Sequence, residues 1–377
     1  MTGGVAICGD YGITKTGIPT LNIILFTIQK GKSCCKTDIY YLCTFHIILL
    51  MKTIAILAGG DSGEYEISLK TAANIFNVLD RTLYTPYLIH VKGTDWEYII
   101  SEEEKYQINK NDFSLMINHE KILFDSVFIA IHGTPGENGK MQAYFDMLHI
   151  PYTGCDMFSS ALTFNKFFCN VAVGHFGIPV SPSIHFYSGE EVDYKKIVDL
   201  CGFPCFVKPC NSGSSVGVTK AHDQKELETA VIEALQHDNQ FMIEKFIPGR
   251  EVTCGVVSFD NKIKALAVTE IKSKKEYYDY EAKYTPGYLE LVTPAEIEAE
   301  IEQQIKDYSE TIYLKMGCQG VVRIDYIITP AGKPFFLEIN TIPGQTAMSI
   351  IPRQVAYCGI DIVRFYSDLI EESFKKQ

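Results

Sequence analysis

An arginine, two carboxylates and an amide fall at the ends of two strand-like segments near the C-terminus, residues 320–328 and 334–339. The run Arg323-Ile324-Asp325 is followed by Glu338-Ile339-Asn340-Thr341-Ile342-Pro343-Gly344. Asp325, Glu338 and Asn340 supply three oxygen donors from adjacent strands. Such a set suits Mg²⁺, which takes a few protein oxygens and leaves its other positions to phosphate and water. Arg323 adds a guanidinium fork for an anion held beside the metal. A structural ion pair would account for Asp325 alone. The convergence of acid, amide and arginine on one strand-turn favours a metal-phosphate site.

A second group lies upstream. Asn211-Ser212-Gly213-Ser214-Ser215-Val216-Gly217 follows Lys208-Pro209. Glycines and serines let backbone N–H groups approach phosphate oxygens closely, and the hydroxyls of Ser214 and Ser215 add donors. The loop lacks the spacing and the Gly-Lys pair of a P-loop, and Gly59-Gly60-Asp61-Ser62-Gly63 lacks the order of a dinucleotide fingerprint. By itself it reads equally well as a turn-rich hairpin; with Lys208 before it and Lys166 upstream, phosphate binding is the better reading. Glu244-Lys245-Phe246-Ile247, with Glu251 beyond, is an extended segment whose backbone could pair with a purine edge and whose carboxylate could accept ribose hydroxyls. Taken by itself that segment reads better as a plain amphipathic strand.

These residues need a scaffold. Strand 53–58, helix 66–79, strands 87–91 and 126–131 and helix 140–148 alternate as in a parallel α/β sheet. A helix over 161–175 leads to strands 206–209 and 216–220, helix 224–236 and strand 241–245, which ends at a Pro248-Gly249 hinge. Strands 251–258 and 262–270 precede a polar, tyrosine-rich loop, about 272–291, long enough to act as a lid. The helix at about 294–316 carries Ile297, Ile301, Ile305, Tyr308 and Ile312 on one face. The boundaries that follow are 51–155 for an N-terminal α/β domain, 156–247 for a central subdomain, and 248–377 for a C-terminal subdomain with the metal site and lid.

A chain of 377 residues with 46% hydrophobic and 21% charged content is an ordinary globular protein of two or three domains. Its net charge of -12 argues against nucleic acid or an anionic membrane as the main partner. Twelve cysteines are scattered without zinc spacing, which reads as reduced cytosolic thiols. Residues 1–50 differ from the rest: four lysines against two aspartates give +2, leaving -14 beyond them. They hold no convincing transmembrane or signal segment. Met51-Lys52-Thr53-Ile54-Ala55-Ile56-Leu57 reads as a natural first strand, so residues 1–50 are expected to be an extension outside the fold.

Together the motifs form a recognisable set. It comprises Gly59-Gly60-x-Ser62-x-Glu64-x-Glu66-x-Ser68, Ile131-His132-Gly133, Pro151-Tyr152-Thr153-Gly154, Lys208-Pro209, Gly213-Ser214-Ser215-Val216-Gly217, Tyr278-x-Tyr280-Glu281-Ala282-Lys283-Tyr284, Arg323-Ile324-Asp325 and Glu338-x-Asn340-Thr341-x-Pro343-Gly344. This closely resembles D-alanine–D-alanine ligases of the ATP-grasp superfamily, in order, from Met51 to nearly the end.

The resemblance implies an ATP-grasp fold, α/β (α+β), with an N-terminal parallel α/β domain and two further domains that clamp ATP. It implies phosphorylation of one D-alanine by ATP, then attack by the amine of a second, giving D-alanyl-D-alanine for peptidoglycan synthesis. By matching position, Asp325, Glu338 and Asn340 hold two Mg²⁺ ions, with Mn²⁺ as a substitute. Lys166, Lys208 and Lys283 contact phosphates; Glu244, Lys245, Ile247 and Glu251 hold the nucleoside. Glu64 orients the first ammonium, with Ser214 and Tyr284 in its network and His132 beside the substrate. Arg323 and the Gly344 amide stabilise the intermediate, and Ser349 with the Ile350 amide holds the second carboxylate. The resemblance also implies a cytoplasmic homodimer. Its departures are Asp61, Tyr65, Asn138 and Gln345-Thr346-Ala347. A ligase joining D-alanine to D-lactate or D-serine is the alternative; an oxidoreductase or a non-catalytic nucleotide-binding protein fits the motifs less well.

Overall fold

The structure is a computed structural model that describes residues 51–259, 262–273 and 289–375, with four short strands among the first fifty. In that first segment β1 (Ile7–Ile13) pairs antiparallel with β2 (Pro19–Leu25), and β3 (Gln29–Lys30) with β4 (Tyr40–Tyr41). Residues 1–52 with 80–85 form one compact unit and the remainder a second, which carries every candidate site residue that is described.

The first large sheet has seven strands: β5 (Lys52–Gly59), β6 (Tyr84–Lys92), β7 (Asp95–Ile99), β8 (Lys105–Asn109), β9 (Ser114–Ile117), β10 (Glu120–Ile122) and β11 (Ser126–Ile129). Their order is β10-β9-β8-β7-β6-β5-β11. The pairing of β5 with β11 is parallel, as the strand–helix alternation predicts. Ile54 to Ala58 are wholly buried, the mark of a strand covered on both faces. From β6 to β10 the chain instead runs as an antiparallel meander, which the sequence reading did not include. These strands are short and half-polar, so no continuous apolar run announces them. Their turns do the work: Asn118 and His119 both have positive φ, 48° and 70°, the two-residue turn that matches strand twist between β9 and β10.

One expected helix is two. Helices Met157–Phe164 and Lys166–His175 are separated by Asn165, whose backbone is extended and whose side chain accepts from Phe168 N–H to cap the second helix. The central sheet follows, β12 (Ser183–Tyr187), β13 (Cys205–Pro209), β14 (Thr219–Ala221) and β15 (Gln240–Lys245), in antiparallel order β12-β15-β13-β14. Strand β14 starts three residues later than expected because Ser214, Ser215 and Gly217 have positive φ, which a strand does not allow. Helices Tyr194–Leu200 and Gln224–His237 bury Ile197, Leu227, Ala230 and Ala234 against this sheet.

The third sheet is β16 (Arg250–Phe259), β17 (Lys262–Ser273), β18 (Leu289–Val292), β19 (Val321–Ile328) and β20 (Pro334–Asn340), ordered β18-β17-β16-β19-β20 and antiparallel throughout. At the hinge before β16, a Cβ on Gly249 would stand 2.2 Å from the Ile328 carbonyl oxygen, so only glycine fits. Helix Ala299–Lys315 buries Ile305, Ser309, Ile312 and Tyr313, of which the two isoleucines contribute about 1.5–3 kcal/mol each. It begins five residues later than expected. Helices Ile350–Tyr357 and Ile362–Ser373 were not anticipated; Asp361 caps the latter by accepting from Arg364 N–H at 2.8 Å. Most of the tyrosine-rich loop, including Lys283 and Tyr284, lies outside the described residues.

Candidate active site

The β19–β20 pair brings the first group together. Arg323 faces Asn340 across the strands, and Asp325 faces Glu338, with a bulge just after Asp325. Asp325 is 2% exposed and heavily bonded. Arg323 Nε and Nη2 donate to its two oxygens at 2.9 and 2.7 Å, Thr253 Oγ1 donates to Oδ1, and Asn340 Nδ2 to Oδ2 at 3.3 Å. The arginine fork, expected to meet a substrate anion, therefore grips Asp325 here. Glu338 is the more open acid, and Lys166 Nζ stands 2.9 Å from its Oε2.

This set fits Mg²⁺. Among the described residues no cluster of three His, Cys, Asp or Glu side chains is found. Two carboxylates and an amide are hard oxygen donors of the kind Mg²⁺ takes, and to hold it Asp325 would exchange hydrogen bonds that it now accepts from Arg323, Thr253 and Asn340.

Lys166 starts its helix just after Asn165, and its N–H donates to the Cys210 carbonyl at 2.9 Å. Burial opposes its charge, but the Glu338 carboxylate outweighs that, so its pKa stands above the usual lysine value. Lys208 pairs with Glu244, one strand over, and lies 5.5 Å from the centre of the Phe206 ring. Beyond Lys208 the small-residue loop folds on itself: Val216 N–H donates to Gly213 O at 3.1 Å and Ser212 Oγ to Val216 O at 3.1 Å. The loop contributes to a cleft lined among others by Lys166, Ser212, Gly213, Ser214, Glu338 and Asn340. No disulfide forms among the described cysteines. Burial pushes the thiols of Cys169 and Cys210 up to about 12, so both stay protonated.

Glu64 precedes helix Tyr65–Val78, yet its side chain makes no capping bond there. Its Oε2 instead lies against two glycines: a Cβ on Gly213 would be 3.1 Å away and one on Gly133 3.8 Å away. Two loops far apart in sequence thus bring their smallest residues to one carboxylate. Ser62 supports it, accepting from Glu64 N–H at 3.2 Å and donating to the His132 carbonyl at 2.8 Å. His132 itself is buried beside this group.

In the segment expected to hold a nucleoside, Glu244 is buried, Ile247 half-buried and Glu251 half-buried at the start of β16. The Lys245 N–H is taken by Pro182 O, and its carbonyl accepts from Ser181 Oγ at 2.6 Å. That carbonyl has a second lone pair for one more donor. Ser349 Oγ lies 2.8 Å from Thr346 Oγ1 and accepts from Thr346 N–H at 3.0 Å, directly before helix Ile350–Tyr357. A Cβ on Gly344 would stand 3.2 Å from the same Oγ, so turn and helix start are neighbours.

One acid in the cleft was missed from sequence. Glu137, 8% exposed, lines it, and burial followed by the Glu64 charge pushes its pKa up to about 7. The signal was an acid inside the glycine-rich run Gly133–Gly139, read only as far as Gly133.

Residues 53–155 match the family model described as D-ala D-ala ligase N-terminus, and residues 173–372 the one described as D-ala D-ala ligase C-terminus. The chain belongs to the D-alanine–D-alanine ligase family. Curated ligases of that name from Phocaeicola vulgatus and Parabacteroides distasonis are each 42% identical to it, over 86% and 87% of this chain and 100% and 99% of theirs. The D-Ala:D-Ser ligase VanG of Enterococcus faecalis superposes with a TM-score of 0.78 at 32% identity, covering 86% of this chain and all of that one. The Coxiella burnetii D-alanine-D-alanine ligase gives 0.77 at 26% identity, covering 86% and 94%. The family's ATP-grasp architecture is therefore the fold of this chain, and residues 1–50 lie outside both family models.

Proposed function

We propose that this ligase family member joins two molecules of D-alanine at the expense of ATP, forming D-alanyl-D-alanine, ADP and phosphate, and so serves peptidoglycan synthesis. The observation that carries the reading is the cleft itself: Gly213 and Ser214 of the small-residue loop, Lys166 and Glu338 line one volume, and the half-buried Glu64 carboxylate lies against Gly213.

The chemistry requires neutralising phosphate charge, orienting the acceptor and excluding water from an acylphosphate. Lys166 and Lys208, with the amides and hydroxyls of Ser214 and Ser215, hold the triphosphate. Glu244, the Lys245 carbonyl, Ile247 and Glu251 hold the nucleoside. Asp325, Glu338 and Asn340 would hold Mg²⁺, or Mn²⁺ in its place, which when bound shields the γ-phosphate and polarises it toward attack. Glu64 holds the ammonium of the first D-alanine, so that its carboxylate points at the γ-phosphate. Arg323 and the Gly344 N–H receive the oxyanion when the second amine adds to the acyl carbon. Ser349 Oγ and the Ile350 N–H hold the second carboxylate. Roles for Lys283, Tyr284 and His132 rest on family resemblance, as do the homodimer and the cytoplasmic setting. Among the described residues no helix is long and apolar enough to cross a membrane.

Release of ADP and phosphate should require both Mg²⁺ and D-alanine and should yield the dipeptide. Equal turnover with L-alanine, or turnover without a divalent ion, would rule the reading out. The likeness to a D-Ala:D-Ser ligase keeps one further comparison open. Product analysis with D-alanine, D-serine and D-lactate in competition should show the dipeptide dominating, and Tyr284→Phe should admit the others at its expense.

A further inference from the structure

The turn that follows the metal ligands is held from outside by the N-terminal sheet and its first helix. His132 is 4% exposed; its Nδ1 lies 2.8 Å from the Ile342 carbonyl oxygen and its Nε2 2.9 Å from Thr71 Oγ1. A carbonyl only accepts, so Nδ1 carries the proton, and in the neutral ring Nε2 takes the Thr71 hydroxyl hydrogen. The other backbone group of Ile342, its N–H, donates to Glu137 Oε1 at 3.2 Å, while Glu137 Oε2 accepts from Gly133 N–H at 2.7 Å. Thr71 Oγ1 also lies 3.5 Å from the Gln345 N. Both ring nitrogens and both carboxyl oxygens are thus directed to the protein itself. Burial lowers the pKa of His132, in keeping with a neutral ring.

We infer that His132 and Glu137 are positioning residues that hold Ile342 by its C=O and N–H and thereby fix where the Gly344 amide and the Asn340 side chain stand. Thr71 completes the brace from helix Tyr65–Val78, the helix that Glu64 precedes. One helix therefore sets both the ammonium-binding carboxylate and the turn carrying the oxyanion donor, so acceptor and donor keep a fixed spacing. This inference rests on the roles given above to Gly344 and Asn340.

The two amide variants of His132 separate this role from one in contact with substrate. His132→Asn places an amide donor where Nδ1 sits; His132→Gln places its amide where Nε2 sits. The Asn variant, which keeps the bond to the Ile342 carbonyl and loses the one to Thr71, should lose about tenfold in kcat. The Gln variant should lose about 100-fold in kcat, the size expected when a reacting group is misplaced by an ångström. KM for ATP should change in neither. Since the ring is neutral throughout, the Asn variant should also keep the wild-type pH profile of kcat/KM. Thr71→Val, which removes only the hydroxyl, should lower kcat about tenfold with the fold intact. A Gln variant as active as the Asn variant, an Asn variant that loses a limb of the pH profile, or an unaffected Thr71→Val each overturns the brace. Glu338→Gln serves as the control: if it remains active the metal-site reading has failed, whereas an inactive Glu338→Gln with those outcomes fails the brace alone.

Discussion

The β19–β20 pair and the loop between β13 and β14 face the same cleft and are built in opposite ways. In the strand pair, the chemistry sits in side chains fixed by one another: Asp325 is gripped by Arg323, Thr253 and Asn340 within a register set by the ladder. In the loop, the chemistry sits in the backbone. Ser214, Ser215 and Gly217 have φ of 53°, 60° and 72°, a left-handed backbone that turns successive N–H groups along the loop. A charged centre thus calls for rigid partners, whereas a phosphate cradle calls for conformations most residues resist. The first should fail when a side-chain atom changes, the second when a Cβ is added.

Glu338→Gln tests the strand pair and should have the largest effect. It removes one negative ligand and the partner of Lys166, and should lower kcat by at least about 10²–10³-fold with the circular dichroism unchanged. Near-normal activity would place the metal elsewhere. Gly217→Ala tests the loop. Its Cβ would stand 2.6 Å from His237 Cδ2 and 2.8 Å from Pro209 Cγ, at a φ that alanine resists. The expected cost is about 1–3 kcal/mol in stability with a raised KM for ATP, read by thermal denaturation and steady-state kinetics. An unaltered KM would show that the backbone does not shape the cradle.

Glu137 lines the same cleft and predicts a pH dependence of stability. Its folded pKa of about 7 stands above the ordinary 4.5, so the folded protein holds the proton more tightly. The stabilisation is complete below about pH 4.5 and is lost as pH rises to about 7, a change on the order of 3 kcal/mol. Denaturant unfolding of the wild type at pH 5 and pH 8 should differ by more than that of Glu137→Gln, which has no proton to lose. Identical differences would mean that Glu137 ionises freely. The smallest effect should come from deleting residues 1–50, proposed to lie outside the working fold: activity and melting temperature should stay nearly constant, and a large loss in either would make that segment structural.

The strand pair was legible from sequence because its acids, amide and arginine recur on extended segments with β-branched neighbours. The cradle was legible in composition but not in conformation: nothing in Ser214-Ser215 announces a left-handed backbone, and so β14 was begun too early. The meander β7–β10 stayed hidden because half-exposed strands such as Lys105–Asn109 lack a continuous apolar pattern. Asn165 was read as part of one long helix, since its cap depends on where its side chain turns. Glu137 was invisible for a different reason: its importance comes from burial between two loops that sequence places 205 residues apart.

The resting cleft also has a thermodynamic consequence. Two lysines of the candidate site are already paired from within, Lys166 with Glu338 and Lys208 with Glu244. On the proposed function, entry of a nucleotide would be an exchange of counter-charges, in which a phosphate displaces a carboxylate that must find another positive partner. A divalent ion accompanying the nucleotide offers Glu338 that partner. Nucleotide and ion should therefore each raise the affinity for the other by the same factor, a reciprocity that linkage requires of any two ligands whose binding is coupled.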